Sequence, residues 1–126
     1  TQMQYATAGI LTMTSYAKLL YESGELNDAI QIYSNCIGLV SKVYGDNSIT
    51  KGYLTQNLAA ICASAGKNKM ALLYYSQADS ILRQYLEEDN PDLLSCQSQQ
   101  RDLNNRLITT DKISLLSVPE FLSADM

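Results

Sequence analysis

Apolar side chains recur every three or four positions from Gln4 to Glu22, at Tyr5, Ala8, Leu11 or Thr12, Tyr16, Leu19 and Leu20. That is the period of a helix with one buried face. Ser23-Gly24 marks its end, since glycine takes the left-handed cap conformation without a Cβ clash. The period resumes at Glu25 or Asn27 and runs to about Tyr44 through Ala29, Ile32, Tyr33, Cys36, Ile37 and Val40, which completes a helical hairpin. Gly45-Asp46-Asn47-Ser48 is a dense turn signal, and Ser48 can cap a third helix carrying Tyr53, Leu54, Leu58, Ile61 and Cys62 to Ala65. Gly66 closes that helix, and a fourth follows from about Asn68 to Leu86 with Ala71, Tyr75, Ala78 and Leu82 on one face. Glu87-Glu88-Asp89-Asn90-Pro91 breaks the pattern, with Asn90 as cap and Pro91 at the first helical position, where a missing amide costs nothing. A fifth helix is predicted to about Leu107, and residues 111–126 form a tail whose apolar run from Ile113 to Leu122 is too short for a domain.

The same pattern occurs twice. Leu20-x3-Gly24-x4-Ala29-x3-Tyr33-x2-Cys36 returns 42 residues later as Cys62-x3-Gly66-x4-Ala71-x3-Tyr75-x2-Ala78. Ala17 and Ser34 are matched at the same offset by Ala59 and Ser76. A period of this length points to stacked helical hairpins, each burying its apolar face only against its neighbours. The fifth helix departs from the pattern: Ser98, Gln99, Gln100 and Arg101 stand where the third carries Gln56-Asn57-Leu58-Ala59, as expected of a polar capping element.

Composition narrows the function more than the fold. Charged residues are 17% of the 126 and hydrophobic ones 46%, so Ser, Thr, Asn and Gln supply much of the surface. A net charge of −4, with nine scattered Lys and Arg, argues against autonomous nucleic-acid binding and makes a basic peptide the better electrostatic match. Histidine is absent, and the three cysteines, Cys36, Cys62 and Cys96, are widely spaced, which removes the common zinc constellations and predicts buried, reduced thiols in the cytoplasm. No run approaches the ~20 apolar residues of a membrane span. Neither a nucleophile with a base at suitable spacing nor a Gly-rich phosphate loop is found, so no catalytic, cofactor or metal site is expected. Thr1 already lies in helical sequence, and the chain reads as an excerpt of a longer protein.

Ala17 with Ala29-x3-Tyr33, and Ala59 with Ala71-x3-Tyr75, resemble the tetratricopeptide repeat over about residues 10–107. The 42-residue spacing and Gln56-Asn57-Leu58-Ala59 are similar to the long-repeat, kinesin-light-chain type, as are the linkers Gly45-Asp46-Asn47-Ser48-Ile49 and Glu87-Glu88-Asp89-Asn90-Pro91. Both linkers lack the usual histidine, the first lacks proline, and both repeats lack tryptophan. The resemblance implies an all-α, right-handed superhelical solenoid: two hairpins at about 4–44 and 48–86, a capping helix at about 91–107 and a C-terminal tail, with 1–110 as the repeat domain. It also implies a non-catalytic module that binds a protein or short peptide in a concave groove lined by the first helix of each hairpin.

Carried onto this chain, the groove positions are Leu11, Thr14, Lys18 and Tyr21 from the first hairpin, and Tyr53, Gln56, Asn57, Ala60 and Ser64 from the second. Asn57 and Gln56 have amides that can both donate to and accept from an extended backbone, and the two tyrosines offer flat, partly apolar area. Tyr21 and Tyr53 are equally compatible with packing on the adjoining helix. The acidic-flanked Phe121 in the tail is a candidate to occupy the groove itself. A structural role within a larger assembly, or a helical regulatory arm of an enzyme, are the alternative functions.

Overall fold

The computed structural model describes the backbone of residues 2–125 and the side chains of residues 4–110. Five helices follow in order: α1 (Gln2–Glu22), α2 (Leu26–Tyr44), α3 (Ile49–Ser64), α4 (Asn68–Leu82) and α5 (Pro91–Asp125), with no strand among the described residues. Each helix packs on the next, α1 on α2, α2 on α3, α3 on α4 and α4 on α5, which makes an all-α solenoid.

The turns inside the two hairpins repeat bond for bond. Gly24 (φ 83°) and Gly66 (φ 78°) both sit in the left-handed region that side chains disfavour. Beyond them the Glu25 amide donates to the Leu20 carbonyl and the Lys67 amide to the Cys62 carbonyl, each at 2.8 Å, closing the helix ends in the same way. Between hairpins, side chains do the capping. Ser48 Oγ accepts from the Lys51 amide (3.2 Å), and Asn90 Oδ1 accepts from the Asp92 amide (2.9 Å).

One contiguous core threads the stack. Its narrow layers are Ala17, Ala29, Ala59, Ala71 and Ala78, all without exposure, and its bulk comes from residues such as Leu58, Leu82, Leu93 and Leu103. Small residues at these crossings let helix axes approach closely. Gly52 is the extreme case: a Cβ there would lie 2.9 Å from Leu82 Cδ2 and 3.0 Å from Ile81 Cγ2, so α3 and α4 meet backbone to side chain at this point. The three cysteines are free and buried. Cys36 and Cys96 aim their thiols at the carbonyls of Ile10 (3.9 Å) and Tyr75 (3.8 Å) on neighbouring helices. Burial pushes all three thiols up, Cys96 to about 11, so the neutral, unreactive form dominates.

Two helix ends differ from the sequence expectation. α4 stops at Leu82 rather than near Leu86, and residues 83–86 form a turn in which the Tyr85 and Leu86 amides both return to the Leu82 carbonyl. The Tyr85 hydroxyl donates to the Asn47 carbonyl, so this turn is anchored to the linker between the hairpins. α5 does not end at Leu107 but continues to Asp125. Neither glycine nor proline occurs between Leu107 and Val118, so nothing in that stretch stops the helix.

Candidate peptide groove

On α1 the positions Leu11, Thr14, Lys18 and Tyr21 share one helical face, and on α3 Tyr53, Gln56 or Asn57, Ala60 and Ser64 do the same. The two faces meet. A cavity of about 290 Å³ opens between them, lined by Lys18, Tyr21, Tyr33, Asn57, Ala60 and Ile61. Four of the nine groove positions named from sequence line it. Ser64 closes its far side through a 3.3 Å contact between its Oγ and the Tyr21 hydroxyl. Tyr21 is therefore a wall of the groove and not a core ring; its side chain is exposed.

The remaining four lie outside the cavity. Leu11 is exposed further along α1, and Thr14 is half-buried with its hydroxyl donating to the Leu11 carbonyl (3.0 Å). Tyr53 is half-buried and donates its phenol to Asp92 Oδ2 at 2.7 Å, so it ties α3 to the first turn of α5. That carboxylate, above all, holds the Tyr53 phenol above its ordinary value, and the hydroxyl stays protonated. The Gln56 amide likewise donates to Gln99 Oε1 (3.3 Å) and bridges α3 to α5.

Two cavity residues escaped the sequence reading. Tyr33 and Ile61 carry the helix period of the core, and both are buried, yet each shows an edge to the groove. Burial raises the Tyr33 phenol, and a hydrogen bond with the Asn57 side chain works against that shift. Asn57 lies beside this hydroxyl in the cavity lining, and its exposed side chain faces the groove. The usable signal was that a repeated, buried tyrosine needs a polar partner within reach.

A second cavity, about 160 Å³, is lined by Ala63, Tyr75, Gln99, Asp102, Leu103 and Arg106. Five of these are the residues 42 positions beyond Tyr21, Tyr33, Asn57, Ala60 and Ile61. The groove therefore carries two equivalent pockets, one repeat apart. The first is walled by uncharged groups apart from Lys18, which pairs with Glu22 at 4.0 Å, whereas the second holds Asp102 and Arg106. The first lies at the lower edge of the ~300–1,000 Å³ of typical small-molecule sites, and the second well below it.

Among the described residues no three His, Cys, Asp or Glu side chains converge to hold a metal ion. No helix among them is long and apolar enough to cross a membrane. The side chains of residues 111–126, including Phe121 as a candidate groove occupant, lie outside the described residues.

Comparison with known proteins bears on residues 9–84, which match the family model described as tetratricopeptide repeat and make up more than half of the chain. No curated protein sequence matches the chain significantly.

Proposed function

Because the chain belongs to the tetratricopeptide repeat family, whose repeats generally mediate protein–protein interaction without catalysis, we propose that it reads a short extended segment of a partner protein along the α1–α3–α5 face. The observation that carries this reading is the pair of pockets related by 42 residues. An extended peptide presents side chains at a regular rise, and a repeated groove offers regularly spaced receptors for them. The first pocket favours an apolar side chain, between Tyr21 and Ile61 over Ala60. The second favours a polar or charged one, which Asp102 and Arg106 select. The net charge of −4 disfavours nucleic acid and an acidic partner.

The long 42-residue spacing and the Asn90-Pro91 linker support a place in the kinesin-light-chain-like branch. Three buried, free cysteines support a reducing, cytoplasmic setting.

The test is selection of binders from a displayed random-peptide library, followed by calorimetry. Selected peptides are expected to lose at least about tenfold in affinity, roughly 1.4 kcal/mol, with Ala60→Glu, which fills the first pocket, and with Asn57→Ala. Helical content should be retained in Ala60→Glu, since Ala60 is only half-buried. Peptides that bind both variants as tightly as the parent would place recognition elsewhere on the solenoid, and a library that yields no binder would remove the peptide-reading function.

A further inference from the structure

The two groove pockets differ by one step of the stack, and the length of that step limits what can fill both. The first pocket lies where α1 meets α3, with Lys18 and Tyr21 on one side and Asn57, Ala60 and Ile61 on the other. The second lies where α3 meets α5, between Ala63 and the residues Gln99, Asp102 and Arg106. Neighbouring helices are in side-chain contact at both places: the Tyr21 and Ser64 hydroxyls are 3.3 Å apart, as are Gln56 Nε2 and Gln99 Oε1. One step is therefore the distance between packed helix axes, ~8–10 Å.

A β-strand returns a side chain to the same face after about 7 Å, and again only after about 13 Å, so its period misses the second pocket. A polyproline-II chain has three residues per turn and rises about 9 Å over them, which brings residues i and i+3 to both pockets. An α-helix meets the distance as well, at i and i+7, about 10.5 Å apart.

The lining separates these two. The groove offers uncharged donors: the exposed Asn57 amide, the Tyr21 hydroxyl, and Gln99, whose Oε1 accepts from Gln56 and leaves its N–H groups to donate. Helix carbonyls are already bonded within the helix except at its end, whereas a polyproline-II backbone makes no internal hydrogen bonds and presents every carbonyl. Both pockets also carry the repeated tyrosine, Tyr33 in the first and Tyr75 in the second, and aromatic-lined grooves suit this conformation. In the second pocket Asp102 can accept and Arg106 can donate, and a primary amide answers both at once.

We propose that the groove binds a polyproline-II segment read at every third residue, with an apolar side chain in the first pocket and, three positions away, a glutamine in the second. This rests on the peptide-reading function proposed above and fixes the conformation and register of that peptide.

The probes are synthetic nonapeptides of alanine and serine, too short to form a stable helix alone. Each carries one leucine and one glutamine separated by two, three, four or seven positions, in both orders. Binding is followed by NMR titration at the Asn57 and Ala60 amides. The three-position peptide is expected to bind at least about fivefold tighter than the others, and proline at its two intervening positions should tighten it further by preorganising the bound form. Asp102→Ala with Arg106→Ala, both exposed positions, should remove the preference for glutamine over alanine in that peptide. Tightest binding at two positions would make the ligand a strand, and at seven a helix; either result overturns the proposal, as would equal affinity at all spacings or weakening by the intervening prolines. Library-selected peptides that Ala60→Glu displaces but that lack a three-residue register would also overturn it, while leaving the peptide-reading function intact. A library without binders would remove both.

Discussion

Thr55 is fully buried on α3, and its hydroxyl is the one described buried side-chain oxygen or nitrogen without a hydrogen-bond partner. Desolvating a hydroxyl without compensation costs about 1–3 kcal/mol in proteins, and valine has nearly the same shape without that group. Thr55→Val is therefore expected to stabilise the chain by roughly 1 kcal/mol, read as a higher urea midpoint at unchanged m-value. A lower midpoint would show that the hydroxyl holds a water or a carbonyl in solution. Asn57 illustrates the opposite case. Its polar side chain at a groove position was legible from the repeat, but its place beside Tyr33 was not, because the two residues lie on different helices and share no local pattern. Tyr21 and Tyr53 occupy similar helical faces in sequence, and only the structure separates them: one closes the groove on Ser64, the other reaches Asp92 on α5.

Helix starts were more legible than helix ends. Ser48 and Asn90 cap the helices their chemistry announces, and Gly24 and Gly66 close hairpins with matching bonds. The end of α4 depends on Tyr85 reaching Asn47, a contact between segments 38 residues apart that no local rule encodes. The glycines within helices divide in the same way. Gly38 has open space around a built Cβ, so Gly38→Ala should gain up to about 1 kcal/mol from helix propensity alone. Gly52→Ala carries the same propensity gain, but its Cβ must displace Leu82, which is wholly buried and has no room to swing away. Overpacking of that kind costs about 1–3 kcal/mol, so the net expectation is a loss of roughly 1 kcal/mol. Thermal or urea unfolding of the two variants checks the pair; equal gains would mean that α3 and α4 separate at no cost.

Across the whole molecule the two ends of the stack differ: α1 leaves an apolar strip open, while α5 turns Arg101 and Asn104 to solvent. α3, held between α2 and α4, should show the slowest amide exchange, and α1 should exchange at least about tenfold faster at its slowest sites, because half of its lateral contacts are missing. Native-state hydrogen exchange measured by mass spectrometry would reveal this gradient, and equal protection in α1 and α3 would show that stability is not set by neighbour contacts. The sequence by itself determined the helical class, the 42-residue repeat, the hairpin turns and the faces that bear Leu11, Lys18, Tyr21, Asn57 and Ala60, because period, capping and glycine conformation are properties of residues close along the chain. Tertiary structure alone decided where α4 stops, which groove positions enclose a pocket, that Tyr33 and Ile61 belong to it, and that Tyr16 and Leu19 remain uncovered. Those outcomes depend on distances between helices, and a linear pattern specifies which face is apolar without specifying what, if anything, lies against it.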